Sequence, residues 1–394
     1  MAVQDIFFEG LSAPVRTVDC EHTLERLAEY IPRWPFSIQP QTDVEHCAAL
    51  AFNGTAWLVQ SPHTEKNRIH KTEVNAICDL VSILASAMIA QEPDLLCFHS
   101  AALEIDDGLV LFPAVRRSGK STLAAVLMAR GAGLFTDDYL PVEAGPNGTL
   151  IGRATGIAAR LRIPVPDAFP ADAHAYLDAH PGPTNKQYRY IAGPAVVAAR
   201  RTRPIRSIVI LDRQDGGDAV LSDMSQADLL GRLAYQNFSR GLPAGEMLSK
   251  LVNLIQTAPA QRLTYSDPAQ AADLILGGLP KVSGVTPTPA TFPSPGPKPD
   301  PKPLAADVPY SRTPFAHLRE AGEIWVGASH DGIKVLKFDA SAVGVLDLLN
   351  EPLTPNDVVR LVAQAVPDTP LGDVEISTFK ILREFLQVGF IART

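Results

Sequence analysis

Residues 108–131 read GLVLFPAVRRSGKSTLAAVLMARG, and the fold turns on them. Gly108 to Ala114 is an apolar run with the look of a buried strand. Ser121 to Arg130 places Leu123, Val126 and Leu127 on one helical face, with Gly131 as a C-terminal stop. Between the two, Ser118-Gly119-Lys120-Ser121-Thr122 opens the helix at once. A strand that passes through a tight loop into a helix N-terminus offers an anion outward-pointing amides and a positive dipole end. The segment follows G-x-x-x-x-G-K-[ST] with one departure: Ala114 stands five positions before Gly119, where glycine is usual. Arg116 and Arg117 fill positions that are often small, and they either reshape the loop or add positive charge to it. In such a loop Lys120 reaches the β- and γ-phosphates of ATP as a point charge, and Ser121 ligates the Mg²⁺ that bridges them. The plainer alternative is a strand–turn–helix that binds nothing.

Outward from this segment the pattern continues. LLCFHSAALEI (95–105), GLFTDDYLPVE (133–143) and SIVILDR (207–213) read as strands. Strands and crossing helices in this order predict an α/β (α+β) core. Asp137-Asp138 lies on the strand after the helix. Two carboxylates beside a phosphate loop suit Mg²⁺ binding and proton abstraction. Side chains alternate along a strand, so only one of the pair faces a nucleotide unless the strand ends there. His99 is either a hydrogen-bonded structural residue or a catalytic one. Arg200, Arg201, Arg203 and Arg206 form a basic run that either faces an acidic group or is simply solvated.

The chain has 394 residues, enough for about two or three domains. Hydrophobic residues make up 46% and charged ones 20%, which excludes a mainly disordered chain. A net charge of −8 argues against a broad nucleic-acid-binding face. Cys20, Cys47, Cys78 and Cys97 show no metal or redox spacing and read as small buried thiols in a reducing cytosol. The N-terminus carries no secretory pattern, which predicts a cytoplasmic protein. ICDLVSILASAMIA (77–90) is short for a membrane span and is broken by Asp79. It predicts a buried helix with Val74, Ile77, Val81, Leu84 and Met88 inward, and no membrane partner.

Nine prolines fall between Lys281 and Tyr310. Proline removes a backbone donor and fixes φ, so this run predicts an extended tether of about 3.1 Å per residue. The boundaries that follow are an N-terminal α/β region (1–94), a P-loop domain (95–280), a linker (281–309) and a small domain (310–394). In the last, EIWVGASHDGIKVLKF predicts two strands turning at His330-Asp331-Gly332, and TPFAHLRE adds one before them. Three helices follow, one opening at Thr354-Pro355 as N-cap and first helical residue.

Together these features resemble the HPr serine kinase family, and more closely its smaller HPr-kinase-related relatives, over about residues 70–265. The resemblance rests on His99-Ser100, the loop PAVRRSGKST, the helix ending in glycine, and Asp137-Asp138. His99 lies 15 residues before Ala114 and Asp137 lies 23 after it. It implies Asp137 as general base, Lys120 and Ser121 on phosphate and Mg²⁺, Asp138 assisting the metal, His99 lining the site, and Arg160 and Lys186 near the substrate. The nucleotide seat is then Ala114, Arg116, Arg117, Ser118, Gly119, Lys120, Ser121 and Thr122.

The tail is similar to PqqD-like winged-helix domains of three strands and three helices, which bind leader peptides by adding a strand to a sheet edge. By that resemblance the groove involves Val335, Lys337, Leu382 and Phe385. The combined expectation is an ATP- and Mg²⁺-dependent kinase acting on a serine or threonine hydroxyl of a ribosomally made precursor peptide, with the lasso type as a subclass, and with a homo-oligomer left open. Two rivals stand beside it. One is a kinase for a free small molecule such as an amino acid. The other is a non-catalytic nucleotide-binding adaptor.

Overall fold

The structure is a computed structural model that describes all residues except 1, 63–66, 115–117, 147–148, 240, 281–297, 300–301, 322–323 and 332–334. Arg116, Arg117 and most of the proline-rich tether therefore lie outside the described residues. The chain divides into two compact units, one of residues 1–224, 235–241 and 256–287, the other of residues 225–234, 242–255 and 288–394.

The first unit begins with β1 (Val3–Phe8), β2 (Val15–Val18), β3 (Phe36–Pro40), β4 (Ala48–Phe52), β5 (Trp57–Gln60) and β6 (Arg68–His70). They form a six-stranded sheet in the order β3-β1-β2-β4-β5-β6. Between them lie the short helices α1 (Glu21–Glu25) and α2 (Leu27–Tyr30), and after them the long α3 (Glu73–Gln91). Thr72 caps α3 by accepting the N–H of Asn75. Val74, Ile77, Val81, Leu84 and Met88 are all buried in the core of this layer, and so are Ala76, Leu80 and Ile83. Asp79 is buried too, and Arg68 and His70 balance it, the latter at 3.0 Å. By length and composition α3 suffices to cross a membrane, but 72% of its apolar window is buried inside the protein.

The second sheet carries the quoted segment. Its strands are β7 (Leu96–Ile105), β8 (Gly108–Pro113), β9 (Gly133–Thr136), β10 (Tyr139–Ala144), β11 (Leu150–Arg153), and, beyond the hairpin β12 (Ala159–Arg162)–β13 (Tyr188–Ile191), β14 (Thr202–Arg213), β15 (Val220–Asp223) and β16 (Ala260–Tyr265). The order is β11-β10-β7-β8-β14-β16-β15, and β11 also pairs with β14, which curls part of the sheet back on itself. The loop helix α4 (Lys120–Ala129), with α5 (Ala171–Ala179) and α8 (Pro268–Leu276), lies in order along this unit. Leu123, Val126 and Leu127 of α4 join Val110, Phe112, Val209 and Leu263 in one apolar core. Each such fully buried aliphatic side chain contributes about 1.5–3 kcal/mol.

The stretch 133–143 is not one strand, as its composition predicts. It breaks at Asp137-Asp138 into β9 and β10, both paired antiparallel with β7. The Thr136 hydroxyl oxygen accepts the N–H groups of Asp138 and Tyr139, each at 3.2 Å, and so holds the bend. The basic run is also largely spoken for. Arg201 and Arg203 both pair with Glu104, and Arg206 donates to the Asp106 carbonyl.

The second unit contains most of α6 (Gln226–Gln236) and α7 (Ala244–Thr257), then β17 (Tyr310–Arg312), β18 (Arg319–Ala321), β19 (Ile324–Ala328), β20 (Val335–Phe338), α9 (Ala340–Leu348), α10 (Pro355–Ala365), α11 (Leu371–Val388) and β21 (Ile391–Arg393). The three-stranded sheet runs β18-β19-β20, and β17 pairs with β21 near the C-terminus. The sequence reading places 225–280 wholly with the P-loop domain. Instead, α6 and most of α7 group with the tail, and a Cβ on Gly231 of α6 would lie 3.1 Å from Lys337 Nζ on β20.

Candidate functional site

The loop after β8 resumes its described path at Ser118. Gly119 sits at φ +94°, a conformation side chains rarely tolerate, and is the N-cap of α4 with no side-chain cap. The helix end is thus open to an external anion. Lys120 is buried and turns back to donate its ammonium to the Ala114 carbonyl at 2.5 Å. Ser118 Oγ is buried and has no hydrogen-bond partner among the described residues. A buried hydroxyl without a partner is costly, and a phosphate oxygen at this loop would satisfy it. The Tyr265 hydroxyl donates to the Ser118 carbonyl at 3.2 Å. Ser121 and Thr122 are half-buried on the first turn of α4.

The bend delivers the carboxylates. Asp137 is buried, and its Oδ2 accepts the backbone N–H of Arg160 at 2.7 Å. Burial, reinforced by the charge of Asp138, pushes its carboxyl up to about 6, although Arg160 and Lys120 pull against that shift. The influence of Lys120 places the loop's ammonium within electrostatic reach of Asp137. Asp138 is half-exposed and lies 3.7 Å from His99 Nε2 and 3.6 Å from Arg160 Nη2. Backbone register explains the grouping: His99 pairs with Tyr139, just after the bend, and Arg160 lies on β12 opposite Tyr190. The Arg160 guanidinium also lies over the Tyr188 ring, 5.0 Å from its centre. The Tyr190 hydroxyl meets the Cys78 thiol at 3.2 Å, and burial raises the Tyr190 phenol well above its usual range. The sequence reading does not name Tyr190 and takes Cys78 only as a small buried thiol. Only the β12–β13 pairing and the packing of α3 bring them there.

Lys120, Asp137, Asp138, His99 and Arg160 therefore share one neighbourhood. Lys186 does not join them. It is exposed and borders a cleft with Arg26, Tyr30, Thr72, Glu73 and Asn185, whose described walls contain neither aspartate nor the loop. In the second unit, Leu382 and Phe385 are core residues, about 1% and 0% exposed, packed with Val345, Leu346 and Phe390. A peptide cannot touch them without displacing that core, so they are removed from the groove. Val335 and Lys337 lie on β20, half-buried and exposed respectively, at an edge of the three-stranded sheet. Cys20, Cys47 and Cys97 are buried, and all four cysteines are free.

As a metal seat the aspartate pair is sparse: no group of three or more acidic, histidine or cysteine ligands occurs among the described residues. That suits Mg²⁺ held mainly by phosphates and water, which needs only one or two protein oxygens. The Ser121 hydroxyl and the Asp138 carboxylate are of the right type.

No family model and no curated protein matches the chain. Among solved structures, the Hpr(Ser) kinase/phosphatase from Coxiella burnetii is similar at 15% identity over 46% of this chain and 94% of that one, with a TM-score of 0.25. A likeness of that depth transfers neither residue roles nor activity.

Proposed function

We propose that the chain is an ATP-dependent phosphotransferase that phosphorylates a serine or threonine hydroxyl. The observation that carries the reading is the pairing of an open, Gly119-led helix end with a buried carboxylate whose affinity for protons is tuned to about 6. A general base works best with a pKa near the working pH. Held by the Arg160 amide, Asp137 takes the hydroxyl proton as the oxygen attacks the γ-phosphorus of ATP, whose bond to the β–γ bridging oxygen breaks so that ADP leaves. Lys120 leaves the Ala114 carbonyl for the phosphate, and the Ser118 hydroxyl and the first amides of α4 fix its orientation. Arg160, anchored by Asp138 and the Tyr188 face, stands beside the base, and His99 keeps Asp138 oriented. Ser121 and Asp138 would hold a Mg²⁺ ion, which would supply positive charge to offset that of the phosphates.

The acceptor in this reading belongs to a ribosomally made precursor peptide that the second unit recruits by strand addition at β20. Its edge position and the exposed Lys337 support that role. The burial of Leu382 and Phe385 favours a second reading, in which the acceptor is a free small molecule and needs no groove. The test is incubation of the full chain with ATP, Mg²⁺ and a candidate acceptor, read by mass. Phosphate added to a peptide but not to free amino acids supports the first reading. The reverse supports the second. ATP binding without transfer to any acceptor, unaltered in Asp137→Asn, leaves an adaptor.

A further inference from the structure

Strands β8, β14 and β16 run parallel and adjacent in that order. Their carboxyl ends therefore lie along one edge of the sheet, the edge where open parallel sheets gather ligands. The end of β8 is the phosphate loop. The ends of β14 and β16 are Arg213 and Tyr265, which are register partners. Tyr265 is buried, and its hydroxyl donates to the Ser118 carbonyl. A Cβ on Gly119 would overlap that hydroxyl and would lie 3.9 Å from Arg213 Cδ. The turn that opens α4 thus rests on Tyr265 and is flanked by Arg213.

Arg213, the last residue of β14, differs from the arginines at and beside that strand's other end. Arg153, Arg201 and Arg203 are each committed to a carboxylate. Arg213 is exposed, and its guanidinium makes no hydrogen bond or ion pair with any described residue. An unengaged guanidinium beside amides that point at an anion is matched to an oxyanion, and on a loop read as a nucleotide site that oxyanion is a phosphate. Its planar fork binds phosphate through two parallel hydrogen bonds.

We propose that Arg213 is a phosphate-binding residue for the nucleotide seated on this loop, reaching its terminal phosphates from the β14 side. The assignment rests on reading the loop as a nucleotide site. It adds a cation that lies 93 positions after Lys120 and outside any local motif. Because the ligand is the phosphate chain and not the base, its removal should act equally on any triphosphate.

The test is calorimetric binding of ATP, GTP and inorganic tripolyphosphate, each with Mg²⁺, to the full chain and to Arg213→Gln and Arg213→Lys. The expected result is about a tenfold or greater rise in Kd for all three with Arg213→Gln, as for loss of a charged hydrogen bond. Arg213→Lys should recover part of the affinity, and the ligand-free melting temperature should not move, since the side chain is exposed. Equal affinity of Arg213→Gln and the unaltered chain would overturn the proposal. So would a loss confined to ATP and GTP, which would place Arg213 at the sugar or base. An unaltered chain that binds none of the three would remove the nucleotide reading itself, and this assignment with it.

Discussion

At Asp137 the proposed chemistry and the stability of the fold depend on one carboxyl. Its carboxyl titrates near 6 in the fold against an ordinary 3.8, so the folded chain holds a proton that the unfolded chain has released. Stability is therefore highest below about pH 4 on this account, falls as pH rises through that window, and carries the full cost above 6. The cost is on the order of 3 kcal/mol. Asp137→Asn keeps an acceptor for the Arg160 amide and removes the buried charge. It should melt several degrees higher than the unaltered chain at pH 8 and about equally at pH 4, in thermal scans at both values. The same substitution should lower turnover by about 10²–10⁴-fold. In the unaltered chain kcat/KM should climb about tenfold per pH unit up to about 6 and then level, because the base must be ionised before the hydroxyl binds. A flat profile from pH 5 to 8 would take Asp137 out of the chemistry. The pair of aspartates and Lys120 were legible as residues. The amide of Arg160, 23 positions on, was not, because a backbone N–H carries no signature in a side-chain pattern.

At the scale of elements, the helix α4 is only as useful as the turn before it. Gly119→Ala would hold a side chain at φ +94° against the Tyr265 hydroxyl. The backbone strain alone is about 1–2 kcal/mol. ATP binding should be lost, and the melting temperature should fall by a few degrees. A second element test lies far from the site. Thr354 caps α10 by accepting the N–H of Asp357 at 3.1 Å, so Thr354→Ala should cost about 1 kcal/mol of the second unit's stability and leave ATP turnover intact. Elements with a strong period were readable. The apolar face of α3 and the strand–loop–helix around Lys120 lie close to where their composition puts them. The break between β9 and β10 was not readable, because Thr136 caps two amides and bends a stretch that is otherwise strand-like. Nor was β17–β21, whose partners Tyr310 and Arg393 stand near opposite ends of the tail. Pairing over such a separation leaves no trace in either three-residue segment.

At the scale of the molecule, a covalent link between two units raises the effective concentration of whatever one unit binds around the other without any new contact. If β20 receives the peptide, Lys337→Glu should raise KM for a full precursor and leave kcat for a leaderless acceptor unchanged, in steady-state assays with both. Equal KM values would favour the small-molecule reading. The grouping of α6 and α7 with the tail shows why domain limits drawn from composition were incomplete. The proline run marks where the chain cannot pair, whereas a helix joins whichever apolar surface it packs on. By itself the sequence determined the strand that leads into Gly119 and the helix that opens at Lys120, the aspartate pair and the alternation of strands and helices around them, since these are local and each rests on a few adjacent residues. Only the tertiary structure decided that the Arg160 amide meets Asp137, that Tyr265 and Arg213 stand beside the Gly119 turn, that Lys186 does not, and that Leu382 and Phe385 are core. Such neighbours are set by which strands lie parallel and which faces are buried, and those follow from packing across the whole chain.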